Sequence, residues 1–94
     1  MIEHIKITPG EYLKAQVALR NFGKMYGLPY LAARVAFQQI IDAAWAKAWT
    51  PGNLQAQVNW QQLFPADRCP TVEEYIVTIA REQQAGREPP YLFE

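Results

Sequence analysis

Very few side chains in this sequence could take part in chemistry. The histidine is His4 and the cysteine is Cys69. A structural zinc site needs four Cys or His ligands, so one copy of the chain cannot build it. A nucleophilic Cys–His pair would have to join Cys69 to His4. Both stand in stretches with little secondary-structure signal, and they read more simply as a loop cysteine and a solvated histidine. Glu73 and Glu74 are adjacent carboxylates at the start of a helix that Thr71 opens. Capping and helix-dipole duty accounts for them better than acid–base catalysis. Asp42 would have a raised pKa if buried beside an apolar helix face, but it belongs to a polar row that predicts exposure. Neither glycine-rich phosphate-loop pattern occurs. The expectation is a protein that is not an enzyme, with no catalytic residue, no metal site and no cofactor.

The totals agree with that reading. Ninety-four residues make one domain, 1–94. Half of them are hydrophobic and 13% are aromatic, enough for a modest core. Nine basic and nine acidic residues give zero formal net charge. A dedicated nucleic-acid binder usually carries a basic excess, and an anionic membrane attracts one; neither is expected here. The most apolar stretch, Pro29 to Trp49, is interrupted by Arg34, Gln38, Gln39, Asp42 and Lys47. It falls short of the ~18 apolar residues of a membrane span. One cysteine allows no disulfide within the chain, and no signal-peptide pattern opens the sequence, so a reducing, cytoplasmic setting is expected.

The elements follow from periodicity and punctuation. Thr8-Pro9-Gly10-Glu11 is a capping box with proline at the first helical position. It opens a helix over about 9–26 whose apolar face is Tyr12, Ala15, Ala18, Leu19, Phe22, Met25 and Tyr26. Gly23 inside it would permit a close helix crossing. Gly27-Leu28-Pro29 stops that helix and starts the next, over about 29–49. On this central helix Ala33, Phe37, Ile40, Ile41, Ala44 and Ala48 form the buried arc. Arg34, Gln38 and Asp42 form a row predicted to face water. A third helix is predicted over about 53–63. A fourth, over about 72–85, is capped by Thr71 and Glu74, with Val72, Tyr75, Ile76, Ile79 and Gln83 on one face. Ile2–Ile7 and the tail 87–94 are predicted to be extended. The fold class is therefore all-α: a small bundle of four helices with short extended ends.

What this pattern leaves over is apolar. Leu13 and Val17 make a second stripe on the first helix, and Leu31 and Val35 make one on the central helix. Trp49, Trp60 and the tail aromatics add to the surplus. Large apolar and aromatic groups that one face per helix cannot bury mark a partner surface. The sequence thus points to a protein-binding module (an adaptor, inhibitor or accessory subunit), its partner being another protein or a second copy. Leu13, Val17, Leu31, Val35 and Trp49 are the contact candidates. For the tail Tyr91, Leu92 and Phe93, packing onto the chain's own helices is favoured. The alternative is a small helix-turn-helix-like DNA regulator using Arg20, Lys24, Arg34 and Gln38.

Overall fold

The first helix, α1 (Pro9–Tyr26), begins where the capping box forms. The Glu11 amide donates to Thr8 Oγ1 at 3.2 Å, and the Thr8 amide donates to Glu11 Oε1 at 3.1 Å. Two of the orphan donors of a helix start are satisfied at once. The helix ends at Gly27, whose φ of 68° is left-handed and disfavours any side chain. The Leu28 amide closes back on the Gly23 carbonyl at 2.8 Å, and Pro29 leads into α2 (Tyr30–Ala48). At the far end of α2 the Thr50 hydroxyl and the Asn53 side-chain amide donate to the Lys47 carbonyl at 2.7 and 2.8 Å. Helix α3 (Leu54–Leu63) follows, then α4 (Val72–Gln84) behind a second capping box of Thr71 and Glu74.

The computed structural model describes residues 7–64, 68–88 and 92. The extended segment predicted over Ile2–Ile7 lies outside these except for Ile7, and so does most of the tail. Among the described residues there is no strand: the protein is an all-α four-helix bundle. Helices α1, α2 and α4 pack against one another, and α3 packs against α2.

The core is built on α2 and filled with aromatic rings. Leu19, Ile41, Ala48, Trp60, Phe64, Val72 and Leu92 form one buried cluster. Phe37 bridges two helices, with its ring centroid 5.2 Å from Phe22 and 5.9 Å from Tyr75. Trp45 meets Trp60 edge-on at 5.7 Å and stacks on Trp49 at 4.1 Å. Such offset and edge-on pairs add to what burial alone gives. Trp60, expected among the surplus, is instead the largest fully buried side chain. One face of a ten-residue helix is enough to bury it, because α2 presents Ala44 and Ala48 there. Leu92 is buried in the same cluster, as expected of a tail that packs on its own helices; Tyr91 and Phe93 lie outside the described residues.

Other expectations about the buried faces are corrected. On α1 the buried residues are Ala15, Leu19 and Gly23, whereas Tyr12, Ala18, Met25 and Tyr26 are exposed. Three residues spaced four apart give a narrow contact line, so the flanks of the predicted arc stay outside it. Ile40 on α2, also expected in the buried arc, is exposed beside the buried Ile41. On α4, Gln83 is exposed and Val77 is buried. The predicted arc there follows the side toward α2, while Val77 faces α1 across a cavity it shares with Ala15.

Gly23 is where the hairpin closes tightest. A Cβ at this position would lie 2.6 Å from the Leu28 carbonyl oxygen and 3.2 Å from the Ala33 Cβ. The obstacle at 2.6 Å is backbone and cannot swing aside. Alanine at position 23 would gain about 1 kcal/mol of helix propensity, but the overpacking costs about 1–3 kcal/mol. Gly23→Ala is therefore expected to lower the denaturation midpoint. Gly10→Ala, where the added methyl meets nothing within 4 Å, is expected not to. Urea denaturation followed by circular dichroism compares the two.

Candidate functional site

Glu73, Glu74 and Cys69, three of the residues that could do chemistry, each have a defined partner in the fold. Glu73 is buried and accepts from Arg34 Nε at 2.8 Å and Nη2 at 2.6 Å on one oxygen, and from Nη2 at 3.1 Å on the other. It stands in the first turn of α4, as helix-dipole duty expects, and is also the ion-pair partner of Arg34, which the sequence did not reveal. Glu74 does cap, accepting from the Thr71 amide at 2.9 Å. It also accepts from Arg68 Nη1 at 2.8 Å and Nη2 at 2.5 Å. The Arg68 guanidinium, helped by the Thr71 amide and opposed by burial, holds the Glu74 carboxyl down to about 2. A carboxyl so low stays ionised at neutral pH and cannot act as a general acid there. The Cys69 thiol donates to Asp42 Oδ1 at 3.3 Å. Burial, then the Asp42 carboxylate, pushes it up to about 12, and a thiol this high is a poor nucleophile. Asp42 itself is exposed, as its row predicted, and His4 lies outside the described residues.

No three His, Cys, Asp or Glu side chains gather into a metal-binding group among the described residues. Two cavities lie between helices of the described residues. One, of about 330 Å³, lies between α2 and α3 and is lined by Lys47, Asn53, Gln55, Asn59, Trp60 and Leu92 among others. The second, of about 220 Å³, lies between α1 and α4 over Ala15, Ala18, Val77 and Ala80. The Glu11–Arg81 ion pair crosses its rim at 2.6 Å. Neither cavity brings together an acid, a base and a nucleophile. No helix of the described residues is long and apolar enough to cross a membrane.

The polar row of α2 has a different use from the one expected. Arg34 and Gln38 do not simply face water; they join α2 to the start of α4. Arg34 reaches Glu73. Gln38 Oε1 accepts from the Val72 amide at 2.9 Å, and its Nε2 donates to the Pro70 carbonyl at 3.1 Å and to Asp42 Oδ1 at 3.0 Å. One glutamine thus satisfies an orphan amide of the α4 start and the carbonyl two residues before it. Two of the four residues considered for reading DNA bases are therefore engaged within the fold. Arg20 and Lys24 are exposed, with the Arg20 guanidinium 6.0 Å from the centroid of the Tyr30 ring.

The apolar stripes are on the surface. Leu13 is 61% exposed, Val17 54%, Leu31 73% and Val35 55%. Their directions follow from the helical repeat. Leu13 and Val17 each stand two residues from Ala15, about 160° round the helix from the side that lines the α1–α4 cavity. Leu31 and Val35 each stand two residues from Ala33, which meets α1 at Gly23. The stripes are thus the outward sides of two packed helices. Trp49 is half-buried against Trp45 and offers less free surface. Sequence periodicity missed further exposed groups, Met25, Tyr26 and Leu28 at the α1–α2 corner and Leu54 and Val58 on α3. The signal for the first three was the Gly-Leu-Pro turn, which ends both packed faces at one place.

The capping network gives the protein an acid limit. The Glu74 carboxyl lies below its unfolded value, so its contribution is fully present above the unfolded pKa and disappears as pH falls through the folded one. Stability is expected to decline between about pH 5 and pH 2. Glu74→Gln should cost about 1–2 kcal/mol at neutral pH and flatten that decline; urea midpoints across the range measure both.

No protein-family model matches the chain, and no curated protein or solved structure is similar to it.

Proposed function

We propose that this protein is a non-enzymatic binding module, an adaptor, inhibitor or accessory subunit that engages another protein through the outward sides of α1 and α2. The observation that carries the reading is the exposure of Leu13, Val17, Leu31 and Val35 on two helices whose inner sides are packed. Scattered apolar residues on a surface need no explanation, but stripes of them along adjacent helices do. Covering them would remove apolar area from water at about 25 cal/mol per Å². The low pKa of Glu74, which leaves it without a proton to give at neutral pH, and the high pKa of Cys69 favour binding over catalysis. The compartment we assign is the reducing cytoplasm, where a single protonated thiol is stable.

DNA binding is the weaker reading. With Arg34 and Gln38 engaged by α4, Arg20 and Lys24 are too few for the several phosphate contacts that such affinity needs.

Val17→Asp and Val35→Asp are expected to change folding stability by no more than about 0.5 kcal/mol, as surface substitutions do. Each is expected to weaken association at least tenfold, or about 1.4 kcal/mol. Far-UV circular dichroism reads the first effect. Sedimentation of the chain, alone and with a captured partner, reads the second. Loss of helical signal in either variant would mean that the stripe is core. Association that collapses with rising salt would indicate phosphate contacts instead.

A further inference from the structure

We infer that the partner of the α1 face is an acidic, amphipathic helical segment of another protein; this rests on the protein-binding reading above. Zero net charge conceals an uneven surface. Four carboxylates pair with four arginines within the fold: Glu11 with Arg81, Glu73 with Arg34, Glu74 with Arg68, and Glu82 with Arg87. Lys14, Arg20 and Lys24 take part in none of these pairs. All three lie on α1 and are exposed. Glu11 is the acidic residue of that helix, and it is turned toward Arg81 of α4.

The spacing orders this face. Leu13, Val17, Arg20 and Lys24 follow one another at intervals of four, three and four residues, which keeps them in one row along a helix. The half of the row nearer the α1 start is apolar and the half nearer its end is basic. Lys14 flanks the apolar half. A complementary helix carries two apolar residues a turn apart and carboxylates further along the same side. Unlike charges brought together there would fix orientation and raise the association rate.

A second copy of the chain does not fit. Two-fold pairing of two α1 rows sets Leu13 and Val17 of each copy against Arg20 and Lys24 of the other if the helices are antiparallel, and Arg20 and Lys24 against their own copies if they are parallel. Among the described residues, the carboxylates outside the four ion pairs are Asp42 and Glu88. Asp42 already accepts from Gln38 and Cys69. Among the described residues there is therefore no acidic apolar helix to serve as the partner of this row. A nucleic acid would not use Leu13 and Val17, the exposed apolar half of the row.

The test is a selection against the full-length protein with a displayed library of helical peptides randomised on one face. A DNA duplex and phosphatidylserine vesicles are measured alongside as separate probes. The expected result is enrichment of peptides with apolar residues a turn apart and Asp or Glu beyond them. The Arg20→Glu, Lys24→Glu double variant should weaken their binding at least tenfold, and Leu54→Asp, at an exposed position on α3, should leave it unchanged. Enrichment of basic or uncharged faces would overturn the proposal, as would acidic peptides that tolerate the charge reversal. Binders lost on Leu31→Asp instead would keep the protein-binding reading and move the site to α2. Enrichment of no peptide at all, with tight binding of the duplex or the vesicles, would overturn both.

Discussion

The position of α4 depends on two side chains of α2. Arg34 and Gln38 stand one turn apart, and together they receive the first turn of α4: a guanidinium for Glu73, and an amide for Val72 and Pro70. A helix start has backbone donors with no partner of their own. Here one is met from within the chain segment, by Thr71, and another from across the bundle, by Gln38. Apolar packing between α2 and α4 would be tolerant of small slides and rotations. Directional hydrogen bonds at one end of α4 are not, and they set which of its sides meets Phe37 and which meets α1.

With α4 fixed, the rest of the bundle has little freedom. Val72 enters the core at the anchored end, and Tyr75 comes between Phe37 and Phe64. Helix α1 is then held on two sides, by the Gly23–Ala33 crossing against α2 and by the Glu11–Arg81 pair against α4. Both contacts use its small-residue side. Leu13 and Val17 are left outward because Ala15, between them, is inward. The surface proposed for binding is thus a consequence of how the core is closed.

Much of this was legible in the sequence. Both capping boxes, the Gly27 stop and the Pro29 restart are short-range signals, and the four helices begin and end within two residues of where these place them. The two apolar stripes were legible as well, since residues two positions from a buried alanine must point away. What periodicity could not supply was partnership across the chain. Arg34, Gln38 and Asp42 look like a solvated row because nothing local reveals that Glu73 and Val72, more than thirty residues on, will arrive beside them. Trp60 looked surplus because its own helix has a weak apolar face; the alanines of α2 that accommodate it belong to another segment. Arg20 and Lys24 were legible as basic neighbours, but not that they would stand outside the ion pairs. A count of nine against nine cannot tell which arginines are paired.

The central claim is that the outward apolar sides of α1 and α2 bind protein. It is tested most directly by retention on the immobilised full-length chain from a native lysate, with and without nuclease. The account predicts a protein retained in both conditions, and displaced by excess free wild-type chain but not by a chain carrying Val17→Asp and Val35→Asp together. Retention that vanishes on nuclease treatment, or displacement by both chains alike, would contradict it.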